Sequence, residues 1–255
     1  MGKTIMTDEQ RLFFETNGYL VIPDALSPEE LARAREAADR AEAAWRADPT
    51  RLGVRRENLQ QVQAPIEYDD YFLDLMEHPK VFPLVREILG NDVSMIDNDL
   101  YISPPHTSTH ARWHHDVGMP GVYHPRSVLM VKVFYLLEDV PPGGGGTLFL
   151  PGSHRFPMDF PLPNVENPPD MPGHVEMAFP AGTAYFFNGR CFHAASDNTS
   201  DKPRRVLIYN YGHHWMRIWP GYEPSQRLLA SAQTAVRKQL LGMGPAYMTG
   251  LKDDE

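Results

Sequence analysis

From residue 93 onward the chain is a series of short, strand-like segments separated by turns, and this pattern limits the possible folds more than any other feature. Proline and glycine supply the turns, with 24 Pro and 19 Gly in the whole chain. The segments predicted to be extended are 93–102, 112–116, 127–137, 147–150, 174–179, 183–187 and 205–211. Many short strands with frequent turns favour a barrel or a double-sheet jelly roll.

The first 92 residues carry signals for helices. Thr7 is followed three residues later by Gln10, and Ser27 by Glu30, which is the capping-box pattern that begins a helix. The first helix should end at Gly18, where a left-handed residue is favourable. Further elements are predicted as a strand at 19–22, a loop covering a pocket at 47–67, and helices at 69–77, 80–89 and 225–241.

These elements together predict one mainly β domain with flanking helices, spanning residues 1–255. Its parts would be a helical N-terminal region (1–92), a jelly-roll core (93–215), and a C-terminal helix and tail (216–255).

Composition narrows the partners and the compartment. The chain has a single cysteine and cannot form an intrachain disulfide, so we expect a reducing compartment, the cytoplasm. The formal net charge of −9 argues against nucleic acid or an anionic membrane as the main partner. No segment approaches the ~18 uninterrupted apolar residues of a membrane helix, and the N-terminus does not resemble a signal peptide. We therefore expect a small-molecule partner; the oligomeric state stays open.

Residues 112–116 (RWHHD) contain a candidate metal site. Alternate side chains of an extended segment point the same way, so His114 and Asp116 would project to one side. A further histidine would complete two His and one carboxylate, a set that leaves coordination positions open on non-haem Fe(II). His193 is the best candidate because it follows a strand and a turn, whereas His115 points away and the other histidines lie in loops or at a strand end. A His-x-Asp pair also recurs by chance, so further features must support the site.

Arg204 comes directly before the last predicted strand. A guanidinium held at the inner end of a pocket can bind a carboxylate through two parallel hydrogen bonds. An exposed arginine within residues 202–205 (KPRR) is an equally compatible interpretation.

Several motifs occur together over residues 8–215. They are residues 13–22 (FFETNGYLVI), 113–116 (WHHD), 137–139 (LED) and 145–155 (GGTLFLPGSHR), followed by His193, Asn198, Ser200 and Arg204. In this combination the chain resembles the phytanoyl-CoA dioxygenase family of Fe(II)- and 2-oxoglutarate-dependent oxygenases.

The resemblance implies a double-stranded β-helix, the cupin-like form of the jelly roll, with helices packed around it. It also implies that His114, Asp116 and His193 bind Fe(II), and that Arg204 binds the distal carboxylate of 2-oxoglutarate. Tyr101 would lie near this cosubstrate. Such an enzyme consumes O2 and releases succinate and CO2.

The resemblance also bears on the reaction and the pocket. Related halogenases have a small residue where this chain has Asp116, so a carboxylate there predicts hydroxylation, or a related oxidation, of an unactivated C–H bond. Trp113 and Phe134 would be pocket walls, with ordinary core positions as the alternative. The substrate is not specified, and secondary metabolites are one candidate class.

Two other functions remain compatible with the sequence. A cupin-type metal enzyme that does not use 2-oxoglutarate would need the metal-binding trio but not Arg204. A non-catalytic small-molecule binding barrel would need neither.

Overall fold

The structure is a computed structural model that describes residues 5–48, 50, 53–55, 59–108, 112–117, 127–157, 159–216 and 223–243. Its strands form two antiparallel sheets, as a double-sheet jelly roll requires. The strands are β1 (Tyr19–Ile22), β2 (Gly53–Arg55), β3 (Gln60–Gln63), β4 (Val93–Ser103), β5 (Met130–Leu136), β6 (Thr147–Phe149), β7 (Val175–Glu176), β8 (Ala184–Asn188), β9 (His193–Ala195) and β10 (Arg204–His213). The larger sheet has the order β1-β8-β5-β10-β4-β3-β2, and the smaller has the order β7-β6-β9.

The helices lie mainly at the two ends of the chain. They are α1 (Asp8–Asn17), α2 (Pro28–Ala47), α3 (Tyr71–Met76), α4 (Phe82–Leu89), α5 (Gln226–Ser231) and α6 (Ala235–Leu240). None of the helices in the described ranges is long and apolar enough to cross a membrane.

The N-terminal helix signals are confirmed. The Thr7 hydroxyl accepts the backbone N–H of Gln10, and the Ser27 hydroxyl accepts that of Glu30. Gly18 ends α1 in the left-handed region with φ of 84°, a conformation that glycine adopts without a Cβ penalty.

Alternation along the larger sheet separates a structural face from a functional face. Tyr135, Tyr209 and Tyr211 point outward, where their hydroxyls donate to the carbonyl oxygens of Leu75 (3.2 Å), Phe72 (2.6 Å) and Met76 (2.6 Å). These bonds tie α3 to the outer face, where α2 and α4 also contribute to the main core. The inner face is therefore left for the smaller sheet and the site.

Aromatic side chains fill the space between the two sheets. Phe134 of β5 packs against Tyr185 and Phe187 of β8, with ring centroids 5.1 and 5.5 Å apart. Phe149 of β6 contacts Phe187 from the opposite sheet at 4.6 Å. This second core holds the sheets together at one side of the site.

Three sequence-based predictions differ from the structure. Residues 112–116 do not form a regular strand, because only His114 makes a β-bridge. Within the predicted loop 47–67, β2 and β3 extend the larger sheet, because the edge of β4 offers backbone hydrogen-bond partners. The polar sequence of this segment gives no sign of that pairing. The closing helix is divided into α5 and α6, because Thr234 caps a new helix start. The strand predicted at residues 19–22 is present as β1, at one edge of the larger sheet.

Candidate metal centre and cosubstrate site

Two backbone pairings bring the metal-binding candidates together. The N–H of His114 donates to the carbonyl of His193 (3.0 Å), and the N–H of His193 donates back (2.9 Å). The N–H of Asp116 donates to the carbonyl of Gly189 at 2.8 Å. Residues 112–117 therefore lie against the turn and strand that carry His193, although they are not a strand themselves.

The three side chains converge as the sequence predicted. One nitrogen or oxygen atom from each of His114, Asp116 and His193 lies within 4.8 Å of the others. The Nε2 atom of His114 is 3.8 Å from Oδ1 of Asp116, and the Nε2 atom of His193 is 3.4 Å from Oδ2. This two-His, one-carboxylate set fits a divalent iron with open coordination positions.

Both imidazoles are oriented so that Nε2 is the atom available to a metal. The Nδ1 atom of His114 is 2.7 Å from the carbonyl oxygen of Arg112, and that of His193 is 3.0 Å from the carbonyl oxygen of Cys191. A carbonyl oxygen only accepts, so each Nδ1 donates a hydrogen to it and Nε2 is the ring atom turned towards Asp116.

The protonation states suit a metal site as well. Burial alone would raise the pKa of Asp116, but the Lys132 ammonium and the two imidazoles lower it to about 2. Burial lowers the pKa of His193 to about 4. At neutral pH the carboxylate is therefore ionised and the His193 ring is neutral, so neither needs to lose a proton to bind a metal.

Lys132 is a participant that the sequence analysis missed. Its Nζ atom lies 3.1 Å from Oδ2 of Asp116, and both side chains are largely buried. The available signal was a charged residue inside the apolar strand β5 (MVKVFYL), at a position that alternates inward together with Phe134. One oxygen of Asp116 is thus engaged by Lys132, and Oδ1 remains for a metal.

Arg204 is buried at the start of β10, with 6% of its surface exposed, which excludes the exposed-arginine interpretation. Its Nη2 atom is 3.5 Å from the Thr147 hydroxyl, which in turn lies 2.8 Å from the hydroxyl of Tyr185. Its Nε atom is buried without a partner, and no described carboxylate pairs with it. A buried cation without a counter-charge is costly, so the cradle fits a carboxylate such as that of 2-oxoglutarate.

The remaining candidates lie around this cradle and the metal trio. Tyr101 of β4 lies opposite Val206 of β10, one inward position along from Arg204. Burial, then the nearby Asp99, raises the pKa of Tyr101 well above its usual value. Trp113 donates from Nε1 to the carbonyl of Pro168 at 3.0 Å, which ties the segment carrying His114 to the long excursion before β7.

Comparison with known proteins decides the family. The model of the phytanoyl-CoA dioxygenase family matches residues 14–206, about three quarters of the chain. The chain belongs to this family. It is therefore a 2-oxoglutarate-dependent oxygenase of the non-haem iron class, and the jelly-roll prediction is confirmed.

Relatives of this oxygenase include other dioxygenases. An ectoine dioxygenase of Stutzerimonas stutzeri (strain A1501) is 26% identical over 235 residues, covering 78% of this chain and 74% of the relative. The dioxygenase af480 of Aspergillus fumigatus is 26% identical over 220 residues, covering 82% and 67%.

Solved structures share the fold of the oxygenase. HygX from Streptomyces hygroscopicus, with nickel, 2-oxoglutarate and hygromycin B bound, superposes with a TM-score of 0.69 at 18% identity, covering 94% of this chain and 96% of HygX. The 2-oxoglutarate-dependent carbocyclase SnoK from nogalamycin biosynthesis gives 0.68 at 20% identity, covering 82% and 85%.

Proposed function

We propose that the oxygenase hydroxylates an unactivated C–H bond of a small molecule in the cytoplasm, with release of succinate and CO2. His114, Asp116 and His193 would hold the iron, and Arg204 would hold the distal carboxylate of 2-oxoglutarate. The observation that carries the proposal is the convergence of two imidazoles and one carboxylate, which each offer one ligand atom within 4.8 Å of the others.

The roles of the protein groups follow from their positions. Bound Fe(II) with 2-oxoglutarate would supply the O2 activation that side chains cannot. Lys132 would keep one oxygen of Asp116 away from the metal, so that the carboxylate takes a single coordination position. Thr147 and Tyr185 would orient the cosubstrate carboxylate beside Arg204, with Tyr101 and Phe134 forming walls around it.

Two features favour this reaction over its alternatives. The buried guanidinium of Arg204 lacks a counter-charge among the described residues. A cupin-type metal enzyme that does not bind a keto acid would not require such a group. Asp116 would take a coordination position that a halide would otherwise need, which supports hydroxylation.

The relatives support a small-molecule substrate. One structural neighbour was solved with hygromycin B bound, and others come from nogalamycin biosynthesis. Several sequence relatives are ectoine dioxygenases. We infer a substrate of comparable size, with secondary metabolites as the leading class and Trp113 at the pocket wall.

Adjacent histidines give a matched test. His114→Ala removes a proposed ligand, whereas His115→Ala removes a ring that packs on Phe192 at 5.0 Å and takes no part in the trio. Under anaerobic conditions Mn(II) with 2-oxoglutarate should raise the melting temperature of the native protein and of His115→Ala, but not of His114→Ala. Equal stabilisation of the two variants would contradict the ligand assignment.

Turnover tests the reaction itself. With Fe(II), O2 and 2-oxoglutarate the native protein should form succinate, and a substrate screen should raise the rate. Succinate formation by Asp116→Ala at the native rate would remove the proposed chemistry.

A further inference from the structure

A polar strip crosses the inner face of the larger sheet beside the metal trio. Asn210 of β10 pairs in register with Lys132 of β5 on one side and with Asp97 of β4 on the other. Neighbouring strands are about 4.8 Å apart, so these three residues form one row across three strands. Because the ammonium of Lys132 contacts Asp116, the row begins at the metal centre.

Two buried carboxylates lie at the far end of the row. Asp97 and Asp99 are two residues apart on β4, share its inner face, and are 5% and 3% exposed. Asp97 accepts from the side-chain amide of Asn210 at 3.3 Å, and Asp99 accepts from that of Gln61 at 3.0 Å. No cation among the described residues lies within ion-pair distance of either carboxylate; the ammonium of Lys132, which pairs with Asp116, acts on them only from farther away.

The surroundings of Asp97 and Asp99 disfavour their ionised forms. Burial raises the pKa of both carboxyl groups, and the charge of Asp97 adds to the effect on Asp99, whose pKa reaches about 7. Buried carboxylates without a counter-charge are costly and concentrate at functional sites.

Two oxygen atoms of the strip have no hydrogen-bond donor within the described part of the chain. Oδ1 of Asp97 and Oδ1 of Asn210 are both buried without a partner, and Asn210 itself is 1% exposed. A proton shared between the carboxyl groups would leave the Asn210 oxygen unsatisfied. Gln61, Tyr101 and Lys132, which lie next to these atoms, are of intermediate burial, so the strip is one side chain away from residues that keep some exposed surface.

We propose that Asp97, Asp99 and Asn210 form a subsite for a protonated amine of the substrate, so that the oxygenase acts on small molecules that carry an amino group. An ammonium group has three donors for the unpartnered oxygens and a charge that offsets the carboxylates. A hydroxyl group supplies one donor and no charge. The inference rests on the proposed function, because it places the subsite in the pocket of that enzyme.

The position of the subsite is consistent with that of the cosubstrate. Arg204 and Asn210 lie six residues apart on β10, about 20 Å along an extended strand. The anion-binding end and the acidic end are therefore separate, and an amine at Asp97 would not compete with 2-oxoglutarate for the same groups.

Matched amine and alcohol probes test the subsite. The probes are 2-deoxystreptamine against scyllo-quercitol, cyclohexylamine against cyclohexanol, and 1,4-diaminobutane against 1,4-butanediol. Their affinities for the anaerobic protein loaded with Mn(II) and 2-oxoglutarate are measured by calorimetry. At least one amine should bind the native protein tenfold or more tightly than its alcohol, and Asp97→Asn/Asp99→Asn should lose that preference.

Controls separate this proposal from the proposed function. Asp92→Asn, which removes a carboxylate that bonds His213 just before β4, should keep the preference for the amine. Stabilisation by Mn(II) and 2-oxoglutarate should survive in every variant, and its loss in the native protein would contradict the metal chemistry instead. If that stabilisation is present but no amine is preferred, or if Asp97→Asn and the double variant keep the native preference, the subsite is wrong.

Discussion

Arg204 and Arg205 are neighbours in the chain, but they point to opposite faces of the larger sheet. Arg204 faces inward and has no described carboxylate partner. Arg205 faces outward, where its Nε atom donates to Glu138 at 2.9 Å and its guanidinium also pairs with Asp39. Replacing each arginine with methionine, which keeps a similar length of side chain, separates cosubstrate binding from surface ion pairing.

The expected effects differ by more than an order of magnitude. Truncating one partner of a buried, hydrogen-bonded charge pair costs about 2–5 kcal/mol. Taking about 3 kcal/mol, and 1.4 kcal/mol for each tenfold change, Arg204→Met should weaken 2-oxoglutarate binding about 100-fold. Arg205→Met removes a partly exposed pair, so it should cost up to about 1 kcal/mol of folding stability and leave cosubstrate affinity unchanged.

The assay is titration of 2-oxoglutarate into the Mn(II)-loaded protein without O2, supported by the KM for 2-oxoglutarate in the succinate assay. Metal affinity measured without the cosubstrate should be the same in both variants, which excludes general damage to the trio. An Arg204→Met protein that binds 2-oxoglutarate within about threefold of the native affinity would refute the role of this guanidinium, because a lost charge-assisted hydrogen bond is worth about 1.5–3 kcal/mol.

Three further perturbations have defined outcomes. Lys132→Met leaves the Asp116 carboxylate buried without its cation and should destabilise the metal-free protein by about 3 kcal/mol. Added Mn(II) should stabilise this variant more than it stabilises the native protein. An equal loss of stability with and without Mn(II) in urea unfolding would contradict this. The pKa of Asp99 in the folded protein is raised to about 7, so the contribution of Asp99 to the unfolding free energy falls as pH rises from about 4 to about 7. Asp99→Asn should therefore stabilise the protein on the order of 2–4 kcal/mol more at pH 8 than at pH 4. A stability difference between variant and native protein that does not change with pH would count against the shift. Gly18→Ala would place Cβ 2.4 Å from Nδ1 of the buried His154, whereas the Cβ of Gly242→Ala would meet nothing within 4 Å. Both glycines have positive φ, so the backbone strain is common to the two variants. In thermal unfolding Gly18→Ala should therefore cost about 1–3 kcal/mol more than Gly242→Ala.

Elements specified by local interactions were predictable. Thr7 and Ser27 cap helices through bonds to residues three positions ahead, and Gly18 ends α1 through its own backbone freedom. Elements specified by distant partners were not. Residues 60–63 look like a polar loop and become a strand only because β4 offers them an edge.

The candidate site divides in the same way. His114 and Asp116 could be chosen because alternate residues of an extended segment share one side, and His193 because it follows a strand and a turn. The prediction that residues 112–116 form a strand was wrong, but one bridge to His193 is enough to aim His114 and Asp116 together. Lys132, Thr147 and Tyr185 were missed, because a single polar residue in an apolar strand does not show which group it will meet.

The amino-acid sequence by itself determined the chemistry available to this oxygenase: two imidazoles and a carboxylate for a metal, an arginine for an anion, and the caps that begin its first helices. Only the tertiary structure decided which charges face one another. Side chains alternate along every strand, so Arg204 and Arg205 had to point apart. Which of them became buried depended on where the second sheet packed, and that is a property of distant parts of the chain.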